Sequence, residues 1–317
     1  MVRNIEELDL DYRAFWLPQV LFTCQTIKIL KLRANIRFKI VESVSLPRLE
    51  VLHIQNVSVA NLEKILFGCP VLEELVVYRD YSDYHATTLY VVSSSLKRLT
   101  IHQTILEKRG LGIRSVVINA PKLEFFDLED HFSAFCYMIK VSSPLKAAID
   151  VRSSYTNHAL RLLRRITNVT VLNLSAYTLE ALFKASDDKF PWFRFLTQLE
   201  MGAFGNGWLM LPKILKWSPN LEAFTLYKTN DTVPHESIFN EESVPGCLLS
   251  SLKSIELKGF GGNTAEMEVL EYFLKNASAL KTLKILISDT SFQKEAEILR
   301  MLITFPRAST TCRILLT

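Results

Sequence analysis

The sequence predicts an α/β solenoid, and two observations carry that prediction. A short phrase, Leu-x-x-Leu-x-Leu, returns along the whole chain, and segments of helical or strand periodicity separate its copies. The clearest copies begin at Leu49 after Pro47, Leu72 after Pro70, Leu96, Leu123 after Pro121 and Leu221 after Pro219. The full series begins at Ile5, Ile27, Leu49, Leu72, Leu96, Leu123, Leu145, Val169, Leu196, Leu221, Leu252 and Leu280. Successive starts lie 22 to 31 residues apart, with a mean of 25, close to the roughly 20–29 of leucine-rich repeats. The expected architecture is a leucine-rich-repeat solenoid, a horseshoe with a parallel concave β-sheet. Mixed helices and strands form its convex side.

Each copy reads as one strand. Alternate side chains of a strand face opposite sides, so Leu75 and Val77 point one way, and Glu74, Val76 and Tyr78 the other. One such strand cannot bury its apolar side alone, but stacked repeats share a continuous core. The prolines two residues ahead of several copies stand where a strand begins and a missing N–H does least harm. The copy at Leu145 is poor, with Ala148 and Asp150 at the apolar positions, and reads as a weak repeat or a local irregularity.

The intervening segments differ along the chain. Leu62, Ile65 and Leu66 have helical spacing and end at Gly68. Helical stripes recur at Ala159, Leu162, Leu163 and Ile166, at Leu179, Leu182 and Phe183, at Leu211, Ile214 and Leu215, and at Val269, Leu270, Phe273 and Leu274. Thr290 and Gln293 have the spacing of a capping box that would open a helix running towards Ile303. Between about Thr87 and Val151 the segments Leu89–Val92, Ser115–Ile118 and Tyr137–Val141 lack that period. There the convex side is expected to carry strands.

Composition narrows the class. A hydrophobic share of 49% excludes a disordered chain. No apolar run approaches the roughly 20 residues of a membrane span, and Met1–Glu7 has no apolar signal core. The expected location is intracellular, cytoplasmic or nuclear. Five cysteines are scattered singly, which suggests neither a disulfide framework nor a zinc knuckle. Cys24, Cys69, Ser218 and Ala277 share one position three residues ahead of their repeats, so that position reads as a small buried corner. The net charge of +4 does not call for nucleic acid, and Arg161, Arg164 and Arg165 read as a solvated helix exterior. The five Asn-x-Ser/Thr sequences read as chance occurrences in the absence of a secretion signal.

Catalytic motifs are missing. There is no Gly-x-Ser-x-Gly elbow, no phosphate-binding Gly-x-x-x-x-Gly-Lys-Ser/Thr loop and no His-Glu-x-x-His pair. The six histidines show no paired-ligand spacing. Gly202, Gly205 and Gly207 have the wrong offsets for a dinucleotide loop and read as a turn, as do Gly259, Gly261 and Gly262. Phe190, Trp192, Phe193 and Phe195 read as packing between a helix and the next strand. No enzyme, no cofactor and no metal site is expected.

Function then falls to the outward side chains of the strands. They run from Glu7, Asp9 and Asp11 through Lys31, Arg33, His53 and Gln55 to Tyr78, and on to Glu256, Lys258 and Lys284. The signs alternate, which argues against a uniform polyanion groove. The candidate partner-binding residues on this concave face are Tyr78, Arg98, His102, Phe125, Asp127, Glu129 and Tyr227, residue types suited to anchoring an interface.

Several phrases resemble a known family. They include Asn4-Ile5-Glu6-Glu7-Leu8-Asp9-Leu10, Leu17-Pro18-Gln19-Val20-Leu21-Phe22-Thr23-Cys24 and Cys69-Pro70-Val71-Leu72-Glu73-Glu74-Leu75. Asn119-Ala120-Pro121-Lys122-Leu123-Glu124 belongs with them, as do Val244-Pro245-Gly246-Cys247, Phe260-Gly261-Gly262 and the closing Phe305-Pro306-Arg307-Ala308-Ser309. In this order they resemble the plant F-box proteins with leucine-rich repeats and a C-terminal FBD domain. The resemblance implies leucine-rich repeats over 1–243 and an FBD domain over 244–317 that continues the stack. It also implies the substrate-recognition part of a Skp–cullin–F-box ubiquitin ligase receptor, binding a target protein whose identity is open. Seven residues precede Leu8, too few for the helical unit that holds the Skp adaptor. Adaptor and cullin are therefore expected as partners only if an F-box is present outside this chain. The alternative is an F-box-less scaffold or decoy that binds partners without ubiquitination. Neither nucleic acid nor a membrane is expected as a partner.

Overall fold

The repeats form parallel strands in a computed structural model. It describes residues 5–11, 17–33, 43–79, 87–103, 113–130, 137–141, 144–152, 157–184, 190–230, 232, 234, 236–239, 243–288 and 292–317. The chain forms two compact units, Met1–Ala147 with Val151–Ile166, and Ala148–Asp150 with Thr167–Thr317.

In the first unit the phrase builds β1 (Glu7–Asp11), β2 (Ile29–Arg33), β3 (Val51–Gln55), β4 (Glu74–Arg79), β6 (Arg98–Gln103), β8 (Phe125–Asp130) and the start of β10 (Leu145–Val151). They lie side by side in that order. Where register is given, pairing is parallel, position for position: Leu30 beside Leu52, Leu52 beside Leu75, Leu75 beside Leu99, Leu99 beside Phe126. All five side chains are fully buried. Each buried leucine is worth about 1.5–3 kcal/mol of transfer free energy, realised only because the neighbouring strand covers it. At the ends of three strands the inward row turns polar: Arg79, Gln103 and Asp130 occupy one register line and are all buried. Such groups need hydrogen-bond partners, and Arg79 Nη1 donates to the Val57 carbonyl at 3.4 Å.

The other side of this unit changes from helix to strand. Ser58 caps α1 (Val59–Phe67) by accepting from the Asn61 amide, and α1 ends at Gly68. Beyond it, β5 (Thr87–Val92), β7 (Ile113–Asn119) and β9 (Tyr137–Lys140) form a second parallel sheet. Val, Ile, Leu and Thr dominate these segments and suit a pleated, half-buried surface. The edge of β5 is covered: Glu63 of α1 accepts from the Tyr90 amide at 3.1 Å, which blunts an otherwise open ladder. The predicted convex strands are therefore present. α2 (His158–Leu163) closes the unit, burying Ala159, Leu160, Leu162 and Leu163, with Arg161 and Arg165 exposed.

In the second unit β11 (Val169–Leu174), β12 (Gln198–Ala203), β13 (Ala223–Lys228), β14 (Ser254–Phe260), β15 (Thr282–Ile287) and β16 (Arg313–Leu316) are parallel neighbours. The other side carries α3 (Ala176–Phe183), α4 (Leu211–Lys216), α5 (Gly246–Ser250), α6 (Thr264–Asn276) and α7 (Phe292–Thr304). α6 opens with a capping box between Asn263 and Glu266, which satisfies two orphan amides. The capping residues expected for α7, Thr290 and Gln293, lie outside the described residues and side chains.

Four readings need correction. β10 is regular, but Leu145, Ala147, Ile149 and Val151 are its buried residues. The repeat is one residue short after Leu145, and alternation forces every later side chain to the opposite side from the phrase. Gly202 lies inside β12 and Gly259 inside β14, not in turns. Gly259 has φ +70° at a register shift between Lys258 and Phe260, a bulge conformation that glycine permits. The aromatic cluster is split: Phe193 is fully buried, but Trp192 and Phe195 are 44% and 62% exposed. Of the four shared corner residues, Cys69, Ser218 and Ala277 are buried and Cys24 is only half-buried.

Leu75→Ala should cost about 2–5 kcal/mol of unfolding free energy, read as a lower urea midpoint. Leu75→Asp, which buries an unpaired charge, should abolish the cooperative transition.

Candidate functional site

The register turns the outward residues of the first unit into a grid. One row runs Val51, Glu74, Arg98, Phe125, the next runs Lys31, His53, Val76, Thr100, Asp127, and the third runs Gln55, Tyr78, His102, Glu129. Neighbours in a row are cross-strand pairs, close enough to interact.

Charges along these rows meet opposite charges. His53 Nε2 donates to Glu74 Oε1 at 2.8 Å, and Arg98 Nε donates to Glu74 Oε2 at 2.7 Å. Burial alone would raise the Glu74 pKa, but these hydrogen bonds and the Arg98 charge outweigh it and hold the carboxyl below its usual 4.5. Towards β1, Lys28 reaches Glu6 at 2.9 Å, Arg33 pairs with Asp9, and Lys31 stands 3.9 Å from Glu7. The alternating signs noted in the sequence are thus repeat-to-repeat neutralisation. Exposed pairs of this kind contribute about 0–1 kcal/mol each, so they set the surface pattern more than the stability.

Six of the seven candidate residues come together on β4, β6 and β8. Tyr78 is 40% exposed, and its ring meets the His102 ring edge-on at 5.3 Å. His102 Nε2 lies 3.1 Å from Asp127 Oδ2, and Nδ1 lies 3.6 Å from Glu129 Oε2. Arg152 approaches Glu129 at 3.9 Å. Phe125 stands half-buried beside Arg98. This is an aromatic and ionic cluster on the sheet, where Val76 is only 8% exposed although it faces outward.

The seventh residue, Tyr227, belongs to the second unit. It stands on β13 beside Gly202 of β12, where a Cβ on Gly202 would lie 2.6 Å from the Tyr227 ring. Burial first, then the charges of Glu200 and Asp150, push the Tyr227 hydroxyl above its usual pKa of 10. Around it Lys258 lies between Glu200 (3.7 Å) and Glu256 (3.6 Å), and Lys284 donates to Glu256 at 2.9 Å.

The candidate residues omitted one neighbouring feature. Lys31, Arg33, His53, Gln55 and Tyr78 line an open hollow of about 460 Å³ on the same face. Aligning the phrases would have found it, because all five stand at outward offsets of consecutive repeats. The buried thiols of Cys69 and Cys247, both pushed up to about 12 by desolvation, are unreactive core groups. Among the described residues no group of His, Cys, Asp and Glu is arranged to hold a metal ion, and no helix is long and apolar enough to cross a membrane.

Comparison with known proteins gives two family matches. Residues 1–147 match the leucine-rich repeats of the FBD-associated F-box protein At5g56370, and residues 240–285 match FBD. Among curated proteins of Arabidopsis thaliana, the putative FBD-associated F-box protein At3g50710 is 30% identical, covering 100% of this chain and 77% of the relative. The F-box/FBD/LRR-repeat protein At1g78750 is 31% identical over 96% of this chain and 70% of its own length.

Two outcomes follow. Gly202→Ala should destabilise by about 1–3 kcal/mol through overpacking against Tyr227, measured by thermal melting. Glu74→Gln should cost no more than about 1 kcal/mol. Because the folded carboxyl titrates below its unfolded value of 4.5, the wild-type advantage should be full above that pH. It should fade as pH falls through the lower folded value, as urea unfolding at stepped pH would show.

Proposed function

The chain belongs to the FBD-associated F-box family of leucine-rich-repeat proteins, and we propose that it is a non-catalytic module that binds a protein partner on its outward sheet face. The observation that carries this reading is the Tyr78–His102–Asp127–Glu129 cluster on consecutive strands. Its aromatic edges and half-exposed carboxylates are fixed on a stacked core, so little side-chain freedom is left to lose on binding. Arg98 and Phe125 extend the contact surface, and Tyr227 gives the second unit its own anchor.

In this reading residues 1–243 are leucine-rich repeats and residues 244–317 are an FBD domain of the same repeat type. The role is that of the recognition part of a Skp–cullin–F-box ubiquitin ligase receptor. The Skp adaptor and the cullin would join only through an F-box present outside this chain. The described cysteines, Cys24, Cys69, Cys247 and Cys312, are all free, which fits a reducing compartment, cytoplasm or nucleus.

Affinity capture with a Tyr78→Ala and His102→Ala double variant tests the reading. Partners recovered with the wild-type chain should be lost, or bind at least about tenfold more weakly, while the melting temperature stays unchanged. Unaltered recovery would remove the face from the account.

A further inference from the structure

The outward face of the first unit is polar in a directional sense. At one end, around β2 and β3, the hollow presents the cationic side chains of Lys31 and Arg33. Lys31 Nζ stands 3.9 Å from Glu7, beyond hydrogen-bond length. Arg33 pairs with Asp9 from a guanidinium that carries five N–H donors. Leu32, His53, Ile54, Gln55 and Tyr78 complete the lining, and Nε2 of His53 is engaged by Glu74. At the other end, on β8, Asp127 and Glu129 are acceptors with side chains 29% and 25% exposed. His102 and Arg152 engage them, yet each ionised carboxylate offers about four acceptor positions. Between the ends lie Val76, nearly covered, and Thr100, with the Tyr78 ring as a wall. Lys31, His53, Val76, Thr100 and Asp127 share one register line, so a straight path connects donors to acceptors.

Resting on the binding role proposed above, we infer that this face recognises an extended partner segment carrying one acidic and one basic side chain about four to six residues apart. The acidic side chain sits in the hollow over Lys31 and Arg33, and the basic one over Asp127 and Glu129. The spacing follows from the sheet. Strands lie about 4.8 Å apart, so β3 to β8 spans about 14 Å and β2 to β8 about 19 Å, while an extended segment rises about 3.3 Å per residue. Charge complementarity of this kind sets register and excludes wrong partners. A uniformly acidic segment would meet Asp127 and Glu129, and a uniformly basic one would meet Lys31 and Arg33.

The test is selection of a phage-displayed random decapeptide library on the 317-residue chain, followed by binding of the synthesised winners. Enriched peptides should pair an acidic with a basic residue at the stated spacing. Lys31→Glu with Arg33→Glu should weaken them about tenfold or more, and replacing the peptide's acidic residue by Lys should restore binding to that variant. Lys31→Ala and Asp127→Asn, which place no new like charges together, should each weaken the same peptides and serve if the double reversal does not fold. Enriched peptides that bind through Tyr78 but show no charge spacing, or ignore these substitutions, overturn the inference while leaving the binding role intact. Peptides indifferent to Tyr78→Ala, or no enrichment at all, count against both.

Discussion

Everything in this chain depends on one constraint: a strand's inward leucines are buried only by the strand beside it. The row Leu30, Leu52, Leu75, Leu99, Phe126 is continuous, and so is the row Leu32, Ile54, Val77, Ile101, Leu128. The first strand of the first unit and the last of the second serve as internal controls. Leu8 and Leu10 of β1, and Ile314 and Leu316 of β16, occupy the same inward positions but remain partly exposed. Among the described residues each of those strands has a sheet neighbour on one side only. Burial is therefore a property of adjacency, as expected of a repeat stack whose stability sums nearest-neighbour terms.

The same adjacency determines the chemistry of the outward face. Parallel register places equivalent repeat positions about 4.8 Å apart, so a charge in one repeat meets the residue at the same offset in the next. Unlike signs at matched offsets become pairs: Glu6 with Lys28, Glu73 with Lys97, Glu74 with Arg98, Glu222 with Lys253. An arrangement of like signs would repel at every step. The geometry thus gives a surface that is patterned and locally neutralised, standing on a buried core.

Much of this was legible in the sequence because the phrase encodes two periods at once. The strand alternation fixed which residues face out, and the repeat length fixed which repeats stand side by side. The convex strands of the first unit were legible for the same reason, since Leu89–Val92 and Ser115–Ile118 lack any helical stripe. What escaped lies where the local pattern and the stack disagree. Ala147 is small enough to look like a lapse at Leu145, yet Ala147, Ile149 and Val151 keep the strand in phase with one residue fewer. Gly202 looked like a turn because nothing local shows that Tyr227, one repeat on, needs its missing Cβ. Trp192 and Phe195 looked like core because composition does not distinguish them from Phe193, whereas the turn at Arg194 and Phe195, closed by the Leu196 amide on the Phe193 carbonyl, leaves Phe195 outside while Phe193 stays buried.

The candidate site was legible as a list of positions and not as a set of contacts. Tyr78, His102 and Glu129 are 24 and 27 residues apart in the chain, and their meeting follows from register alone. The bracketing of His102 by two carboxylates could have been read by laying the phrase at Leu96 over the phrase at Leu123, which aligns Thr100 with Asp127 and His102 with Glu129. Aligning the phrases at Ile27, Leu49 and Leu72 likewise brings Lys31, His53 and Tyr78 to the rim of one hollow. Repeat offsets, compared between neighbours, carry the surface chemistry of this protein in a form that no single motif contains.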